Sequence, residues 1–373
     1  MRKTVYLLLF FVALILCIGL VTVGTTTIGN PKLGSLAVRQ MIWVGIAIVA
    51  GFVTASFHFR LWGSFAYLIL GLSALMLALV LAPGIGKEIA GSRRWLDLGF
   101  MNYQPSEFAK LAVVVFVSFW MSTVHRRSET LWKGFLVPVA AVIVLALLIV
   151  VEPDYGTTAL IVGITGLLLF LSGSRLAFLS AAGMLAVAAL VALVLIRPNS
   201  MARVEAWFNQ GNDQLDNPAA FQLEQSLIAI EMGGVRGVGL GESQQKELYL
   251  PEAHTDFIMA IWSEEQGLVG SLILLGLFFG IFVCGMVISQ SCKDRFGRLL
   301  GLGITLMITA QALINMMVVT GLLPTKGIAL PLMSYGGSHL LTTCVMLGIL
   351  ISIARHNEKV AEGIPFAGSE IWS

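Results

Sequence analysis

Pro251-Glu252-Ala253-His254-Thr255-Asp256-Phe257-Ile258 sets a carboxylate beside two hydrogen-bonding side chains, where a polar stretch runs back into apolar sequence. Ionisable groups at the edge of apolar helices are expensive and usually have a reason. An aspartate ahead of a helix ordinarily favours the positive end of the dipole. Its company here points further, to Asp256 as the chemical centre, with His254 and Thr255 placed to hydrogen-bond the aspartate or a substrate. A histidine base stays open on these residues alone.

Three more constellations accompany it. Gln104-Pro105-Ser106-Glu107-Phe108-Ala109-Lys110 opens an apolar helix with proline in a tolerated first-turn position, and Glu107 lies three residues before Lys110. At 1.5 Å per residue, Lys110 stands roughly 7 Å along the axis. It is either a snorkelling lysine neutralised by Glu107 or a cation held in a cavity for an anionic substrate. Glu152-Pro153-Asp154-Tyr155-Gly156 is a tight acidic turn whose two carboxylates suit a solvated turn better than a divalent cation, leaving Asp154 a lesser candidate. Leu323 to Ser338 is punctuated by Pro and Gly, and such irregular backbone is tolerated at a membrane only where protein or a watery cavity satisfies it. Within it, Ser334 and Ser338 are turn caps or substrate contacts.

The elements that must position these groups are membrane helices. The chain is 57% hydrophobic and 12% charged, with a mean hydropathy of +0.88. Apolar runs long enough to cross a hydrocarbon core of roughly 30 Å recur throughout. They predict an all-α polytopic membrane protein with about ten transmembrane helices, near 5–24, 38–57, 64–82, 106–124, 134–151, 157–172, 176–196, 267–290, 299–321 and 339–354. Residues 1–373 form a single membrane domain, with a large extracytoplasmic loop, 197–266, between spans 7 and 8. The first span lacks a small-x-small cleavage site and is expected to remain as an anchor.

Cations in short connections, Arg126, Arg127 and Lys133, then Lys293, Arg295 and Arg298, then Arg355 and Lys359, place those connections and both termini in the cytoplasm. Lys87, Arg93, Arg94, Arg203, Arg236, Lys246 and Lys326 fall on the opposite side in longer segments and need another explanation. A formal net charge of +2 with no long basic tract gives no support to nucleic-acid binding. Cys17, Cys284, Cys292 and Cys344 read as buried small hydrophobes, since none is well placed for a disulfide and no Cys/His metal spacing appears.

Loop 83–105 should hug the membrane through Arg93, Arg94 and Trp95. Residues 219–232 read as an amphipathic helix, followed by Gly233, Gly234, Gly237, Gly239 and Gly241 as a mobile or tightly turned connection. Gly237-x-Gly239-x-Gly241 lacks the strand and the Lys-Ser/Thr of a nucleotide loop. Pro251 fits the first turn of a short helix, with Asp256 and Ser263 on a small, polar face and Phe257, Ile258, Ile261 and Trp262 on a face turned to the membrane interface.

Taken together, the motifs resemble one family, the SEDS proteins (shape, elongation, division and sporulation), which include the peptidoglycan glycosyltransferases FtsW and RodA. The matching runs are Gly91-Ser-Arg-Arg-Trp-Leu, Gln104-Pro-Ser-Glu-Phe-Ala-Lys, Glu152-Pro-Asp-Tyr-Gly-Thr, Gln225-Ser-Leu-Ile-Ala-Ile, Tyr249-Leu-Pro-Glu-Ala-His-Thr-Asp-Phe-Ile and Leu323-Pro-Thr-Lys-Gly with Ser334-Tyr-Gly-Gly-Ser. They span nearly the whole chain in order and look more like the FtsW branch than the RodA branch; Glu231, Met232 and Arg236 depart from the pattern.

The resemblance implies polymerisation of lipid II into glycan strands during septal wall synthesis, with inversion and release of undecaprenyl pyrophosphate. Asp256 would be the catalytic base. Lys110 and Arg94 would stabilise pyrophosphate charge, Glu107 would orient Lys110, and Gln104, Ser106, His254, Thr255, Ser334 and Ser338 would complete the substrate site. No cofactor is certain. A divalent cation, Mg or Mn, suits pyrophosphate chemistry, yet no complete ligand set is visible. The resemblance also implies a class B penicillin-binding protein (a transpeptidase) as partner, together with other division-machinery membrane proteins, at the septum of a bacterial cytoplasmic (inner) membrane. A lipid II flippase or transporter and a non-catalytic division scaffold are the rival readings. The clustering of polar motifs on one side favours the enzyme, because a transporter should line a path from the other side as well.

Overall fold

The computed structural model describes residues 1–27, 34–89, 92–97, 99, 102–124, 129–209, 217–246 and 250–362. Thirteen α-helices run in chain order: α1 (Arg2–Thr27), α2 (Gly34–Ser56), α3 (Arg60–Ser64), α4 (Ala66–Leu81), α5 (Pro105–Thr123), α6 (Val137–Val151), α7 (Tyr155–Leu171), α8 (Leu176–Ile196), α9 (Pro198–Phe208), α10 (Pro218–Gly233), α11 (Ile258–Gln290), α12 (Arg295–Val319) and α13 (Gly337–Ala361). A π-helical turn, Trp132–Leu136, leads into α6. Eight of these segments are long and apolar enough to cross a membrane, and the shorter apolar helices α4 and α7 occupy the two remaining expected spans. The chain is a multi-pass membrane protein.

Three helices carry the interior. On α5 buried residues cover nearly every face, and α12 and α13 are similar, as expected of helices surrounded by others. By contrast, α8 has no buried residue, so its apolar surface suits lipid. Gly303 on α12 and Gly285 on α11 sit where an added Cβ would fall 2.6 Å from Val114 and 2.3 Å from Thr305, so the helices approach closely there.

The two ends of the bundle differ. One gathers Arg2 of α1 against Glu358 of α13, and pairs Arg60 with Asp294 at 2.7 Å. Both termini-bearing helices therefore start or finish at the same end. Arg126 and Arg127 lie outside the described residues. At the other end stand the long connections between α4 and α5, α8 and α11, and α12 and α13.

The long connections contain more order than the sequence suggests. Three strands between α4 and α5 form an antiparallel sheet, β1 (Gly86–Ile89), β2 (Ser92–Asp97) and β3 (Asn102–Tyr103), in the order β1-β2-β3. This is a small departure from an all-α chain. Ion pairs Lys87 to Asp97 at 3.1 Å and Arg93 to Glu88 at 3.3 Å cross it. The expected amphipathic helix at 219–232 is α10, and α9 is a further helix not read from the sequence.

The expectation of a helix starting at Pro251 is corrected. Pro251 to Phe257 form turns, and α11 begins at Ile258. Nor does its first part lie at the interface, because Phe257, Ile258, Ile261 and Trp262 are all buried in protein. The cause is a break at Gly267 (φ 64°, ψ −161°), which divides α11. A Cβ at Gly267 would come within 2.5 Å of Gly237 N. The glycine connection docks into that notch: Leu268 N donates to Gly234 O at 2.9 Å, and Val238 N to Glu264 O at 3.0 Å. Satisfying these backbone groups through protein is what lets a broken helix persist at the membrane.

Candidate functional site

Asp256 sits two residues ahead of α11, in a turn stitched to α12. Asn315 Nδ2 donates to Asp256 O at 2.7 Å and to Ile328 O at 2.8 Å. One turn earlier on the same face, Gln311 Nε2 donates to Ala329 O at 2.8 Å. Two amides thus hold two irregular loops, 251–257 and 321–336, against each other. Glycine at 327 leaves room for the carboxylate, since an added Cβ would lie 3.0 Å from Asp256 Oδ2 and oblige it to shift by a few tenths of an ångström.

The same helix connects the site to Lys110. Its Nζ donates to Gln311 Oε1 at 2.6 Å and pairs with Glu107 Oε2 at 2.8 Å. The lysine is only 2% exposed, so it does not snorkel. Gln311, which holds Lys110, and Asn315, which holds the Asp256 carbonyl, are about one helical turn, roughly 6 Å, apart along α12. The Lys110 ammonium is already neutralised and bonded, and it acts on the site as a buried, held charge.

Arg94 reaches the site from β2. Its Nε donates to Glu152 O at 2.8 Å and its Nη2 to Pro153 O at 2.7 Å, fixing the acidic turn ahead of α7. Asp154 then caps α7 by accepting from Thr157 N at 3.1 Å, and also receives Ser106 Oγ at 3.4 Å and Gln104 Nε2 at 3.5 Å. Such a cap is the ordinary use of this residue type. Ser338 Oγ accepts from Gln104 N at 3.1 Å and donates to Asn102 O at 3.3 Å, tying α13 to the sheet. Ser334 Oγ accepts from Leu330 N at 2.7 Å inside its own turn. Both serine hydroxyls therefore complete backbone bonds within the protein.

His254 and Thr255 bond to partners other than the carboxylate they flank. Thr255 Oγ1 donates to Glu252 Oε2 at 2.7 Å. The His254 ring stands edge-on to Tyr335, 5.8 Å between centroids, and its carbonyl accepts Tyr335 N at 2.9 Å. Burial lowers the His254 pKa against a smaller opposing pull from Glu252.

The charges converge on Asp256. Burial chiefly, then Glu252 and Asp154, push its carboxyl up to about 7, while Arg203 and Arg94 oppose the shift. Arg203 on α9 extends Nη1 to Thr325 O at 3.4 Å. Lys326 feels both Arg203 and Asp154. Arg94 and Arg203 therefore act on the aspartate from two separate connections, and Lys326 stands next to Gly327, which faces the carboxylate. Glu152, only 1% exposed, has neither carboxylate oxygen hydrogen-bonded; burial above all, with Asp154 adding, pushes it up to about 8, against Arg94. A protonated Glu152 leaves the cations' charge for something else.

Asp256, Arg94, Glu107, Lys110, Gln104 and Ser106 are thus brought to one end of the bundle in two connected layers. Sequence reasoning missed Arg203, Lys326, Gln311 and Asn315 as site residues. The available signal was the excess of cations in the long segments and two amides at helical spacing in an apolar span. Gly91 and Tyr249, in the flanking motifs, lie outside the described residues. Among the described residues no three His, Cys, Asp or Glu side chains gather to hold a metal. The described side chains do not by themselves form a protein-only metal cage.

A carboxylate raised to about 7 with Arg94 and Arg203 close by, at one end of a bundle of membrane helices, suits a reaction in which a hydroxyl loses a proton as an anionic group departs. Comparison with known proteins agrees with this chemistry. The family model FTSW_RODA_SPOVE, described as cell cycle protein, matches residues 1–359. The chain is 41% identical over 344 residues to "Probable peptidoglycan glycosyltransferase FtsW" of Marinobacter nauticus, covering 91% of this chain and 84% of the relative. It is 36% identical over 356 residues to "Stage V sporulation protein E" of Bacillus subtilis, covering 94% and 97%. Among solved structures it is similar to a chain from "Structural coordination of polymerization and crosslinking by a peptidoglycan synthase complex" (TM-score 0.77, 27% identity, 94% and 97% covered). It is also similar to the rod shape determining protein RodA of Thermus thermophilus (TM-score 0.70, 26% identity, 94% and 96% covered).

Proposed function

Because this chain belongs to the FtsW, RodA and SpoVE family of cell cycle proteins, we propose that it is a peptidoglycan glycosyltransferase that polymerises lipid II, with Asp256 as general base. The observation that carries the proposal is a carboxylate, Asp256, that burial raises to about 7 within the field of Arg94 and Arg203. A base with a pKa near the working pH transfers protons most efficiently.

In the reaction, the sugar 4-hydroxyl of one unit attacks the anomeric carbon of another. The hydroxyl proton passes to Asp256, the new glycosidic bond forms with inversion, and the anomeric carbon's bond to the lipid pyrophosphate breaks. The leaving group departs as an anion that needs no paired acid. Arg94, Arg203 and Lys326 receive its charge, and the buried Lys110 and Glu107 pair keeps the floor of the site rigid and polar. Protonated Glu152 adds no competing negative charge. Charge-side stabilisation of this kind is strongest where water is excluded.

The apolar face of α8, which packs little against the bundle, supports entry of the lipid tail from the side. The site end is the outer face of a bacterial inner membrane, and the end holding both termini faces the cytoplasm, in agreement with the cations of its short connections. The partner is a class B penicillin-binding protein at the division septum. The likeness to a chain of a peptidoglycan synthase complex supports that assignment.

The test is polymerisation of labelled lipid II by the purified full chain with its transpeptidase partner, read as a ladder of glycan lengths. The wild type should give polymer and Asp256→Ala none, with both eluting identically from a sizing column. Polymer from the Ala variant at the wild-type rate overturns the assignment. Lipid transfer between leaflets that survives in Asp256→Asn while polymer is never seen from either protein would favour the flippase reading.

A further inference from the structure

The backbone is strained just ahead of Asp256, at Glu252. Its φ is 56°, a left-handed conformation that a residue with a Cβ rarely adopts. With the chain reversed there, the Glu252 carbonyl accepts from Thr255 N at 3.1 Å and from Phe257 N at 3.3 Å, the residues on either side of Asp256. The side chain returns to the same turn, where Thr255 Oγ1 donates to Glu252 Oε2 at 2.7 Å. From outside the turn, Asn315 holds the carbonyl of Asp256 and Tyr335 N that of His254. The N–H groups flanking the aspartate are thus held by Glu252, and the carbonyls by α12 and the loop after it.

Strained residues persist where the surrounding structure over-determines them, and they cluster at functional sites. Glycine would take this φ with no Cβ in the way and would offer the same carbonyl, so the backbone role alone gives no reason for a glutamate. The Thr255 bond does not supply one either, since a hydrogen bond at an exposed residue replaces one to water and adds little. What a glutamate adds is charge, held by Thr255 within a tight turn that also contains Asp256. Among the influences on Asp256, Glu252 comes directly after burial, ahead of Asp154 on the turn before α7, Arg203 on α9 and Arg94 on β2. His254, in the same turn, feels the same carboxylate. Lys326 stands beside Gly327 in the loop that faces the carboxylate of Asp256.

We propose that Glu252 is a positioning residue that acts through Asp256: its main chain fixes the turn, and its tethered carboxylate keeps a negative charge beside the base. A like charge at close range disfavours ionisation of its neighbour, and a more basic carboxylate takes a proton from a hydroxyl more readily. This role rests on the reading of Asp256 as general base, and Glu252 need not touch the substrate.

Glu252→Gln removes the charge and keeps the shape and an acceptor for Thr255. Glu252→Gly removes the whole side chain and relieves the backbone, so it should melt no lower than the Gln variant. Both are compared with wild type, as full chains in detergent, by infrared titration of the protonated Asp256 carboxyl band, identified by its absence from Asp256→Asn. Wild type should inflect at about 7, and both variants at least about half a pH unit lower. In the polymerisation assay with the transpeptidase partner, that shift raises the rate at pH 6 relative to pH 8 about 2.5-fold over wild type. A purely structural Glu252 would leave the inflection of the Gln variant in place. A wild-type inflection in either variant, or an unmoved rate profile in a chain that does polymerise, overturns the proposal. The infrared shift in a chain that makes no polymer upholds the action of Glu252 on Asp256 and removes the glycosyltransferase reading alone.

Discussion

Replacing Asp256 by Asn removes the charge and keeps the shape, and the structure gives both a rate and a stability consequence. Asn315 bonds the main-chain oxygen of residue 256, so the turn should survive the change. Loss of a general base costs about 10²–10⁴-fold in rate. The wild type must lose a proton from a carboxyl at about 7 to work. About a tenth is ionised at pH 6 and about nine tenths at pH 8, so polymerisation should rise roughly ninefold across that interval. The stability consequence has the opposite sign. The carboxyl titrates at 3.8 when exposed and about 7 in the fold, so the folded chain holds a proton that the unfolded chain releases. Its contribution is fully present below pH about 4 and is lost as pH rises toward 7. An asparagine never ionises. At pH 8 the variant should therefore unfold at higher temperature than wild type, by an amount worth about 1 kcal/mol once solvent screening at a partly exposed side chain is allowed for, and near pH 4 the two should coincide. The assays are initial rates from a lipid II gel at half-unit pH steps and thermal melts in detergent. A flat pH profile, or an Asn variant less stable than wild type at pH 8, would refute the reasoning.

Arg203→Gln should move the inflection of the pH profile upward, because Arg203 opposes the rise of the Asp256 pKa; an unchanged or lower inflection would remove Arg203 from the site. Lys110→Met leaves Glu107 charged and buried and should cost about 3–5 kcal/mol of stability, whereas Lys110→Met with Glu107→Gln should recover most of it. Polymer yield measured on the double variant then decides whether Lys110 contributes charge to the reaction: recovery of folding without activity says it does, and recovery of both says the pair is only structural. Gly327→Ala should lower the rate about tenfold with little change in melting temperature, since its Cβ would lie 3.0 Å from Asp256 Oδ2 and displace the base. A wild-type rate for that variant would mean the base tolerates the shift.

Why the helices were legible and the site only partly so comes down to range. Each expected span coincides with a helix because a run of apolar residues acts locally, through transfer from water to hydrocarbon. Asp256, Glu107 and Lys110 stood out for a similar reason, as charges costly to place in such surroundings. Arg203 did not, because its effect on Asp256 depends on the placement of α9, many tens of residues away in sequence, and Lys326 stands in a loop that meets Asp256 through the neighbouring Gly327. Lys110 shows the limit most clearly. Sequence spacing to Glu107 offered a snorkelling pair or a cation in a cavity, and Gln311 decides against the first by taking the ammonium from a different helix at 2.6 Å. The misread start of α11 has the same origin. Pro251 favours a helix's first turn, but Asn315 and Tyr335 engage the main chain at 256 and 254 and keep 251–257 in turns. A helix there would direct those carbonyls along its own axis and lose both partners. The turn presents Asp256 ahead of the helix instead, near Glu252 and Asp154, and burial there, outweighing the opposing pull of Arg203 and Arg94, is what makes an ordinary aspartate into a basic one.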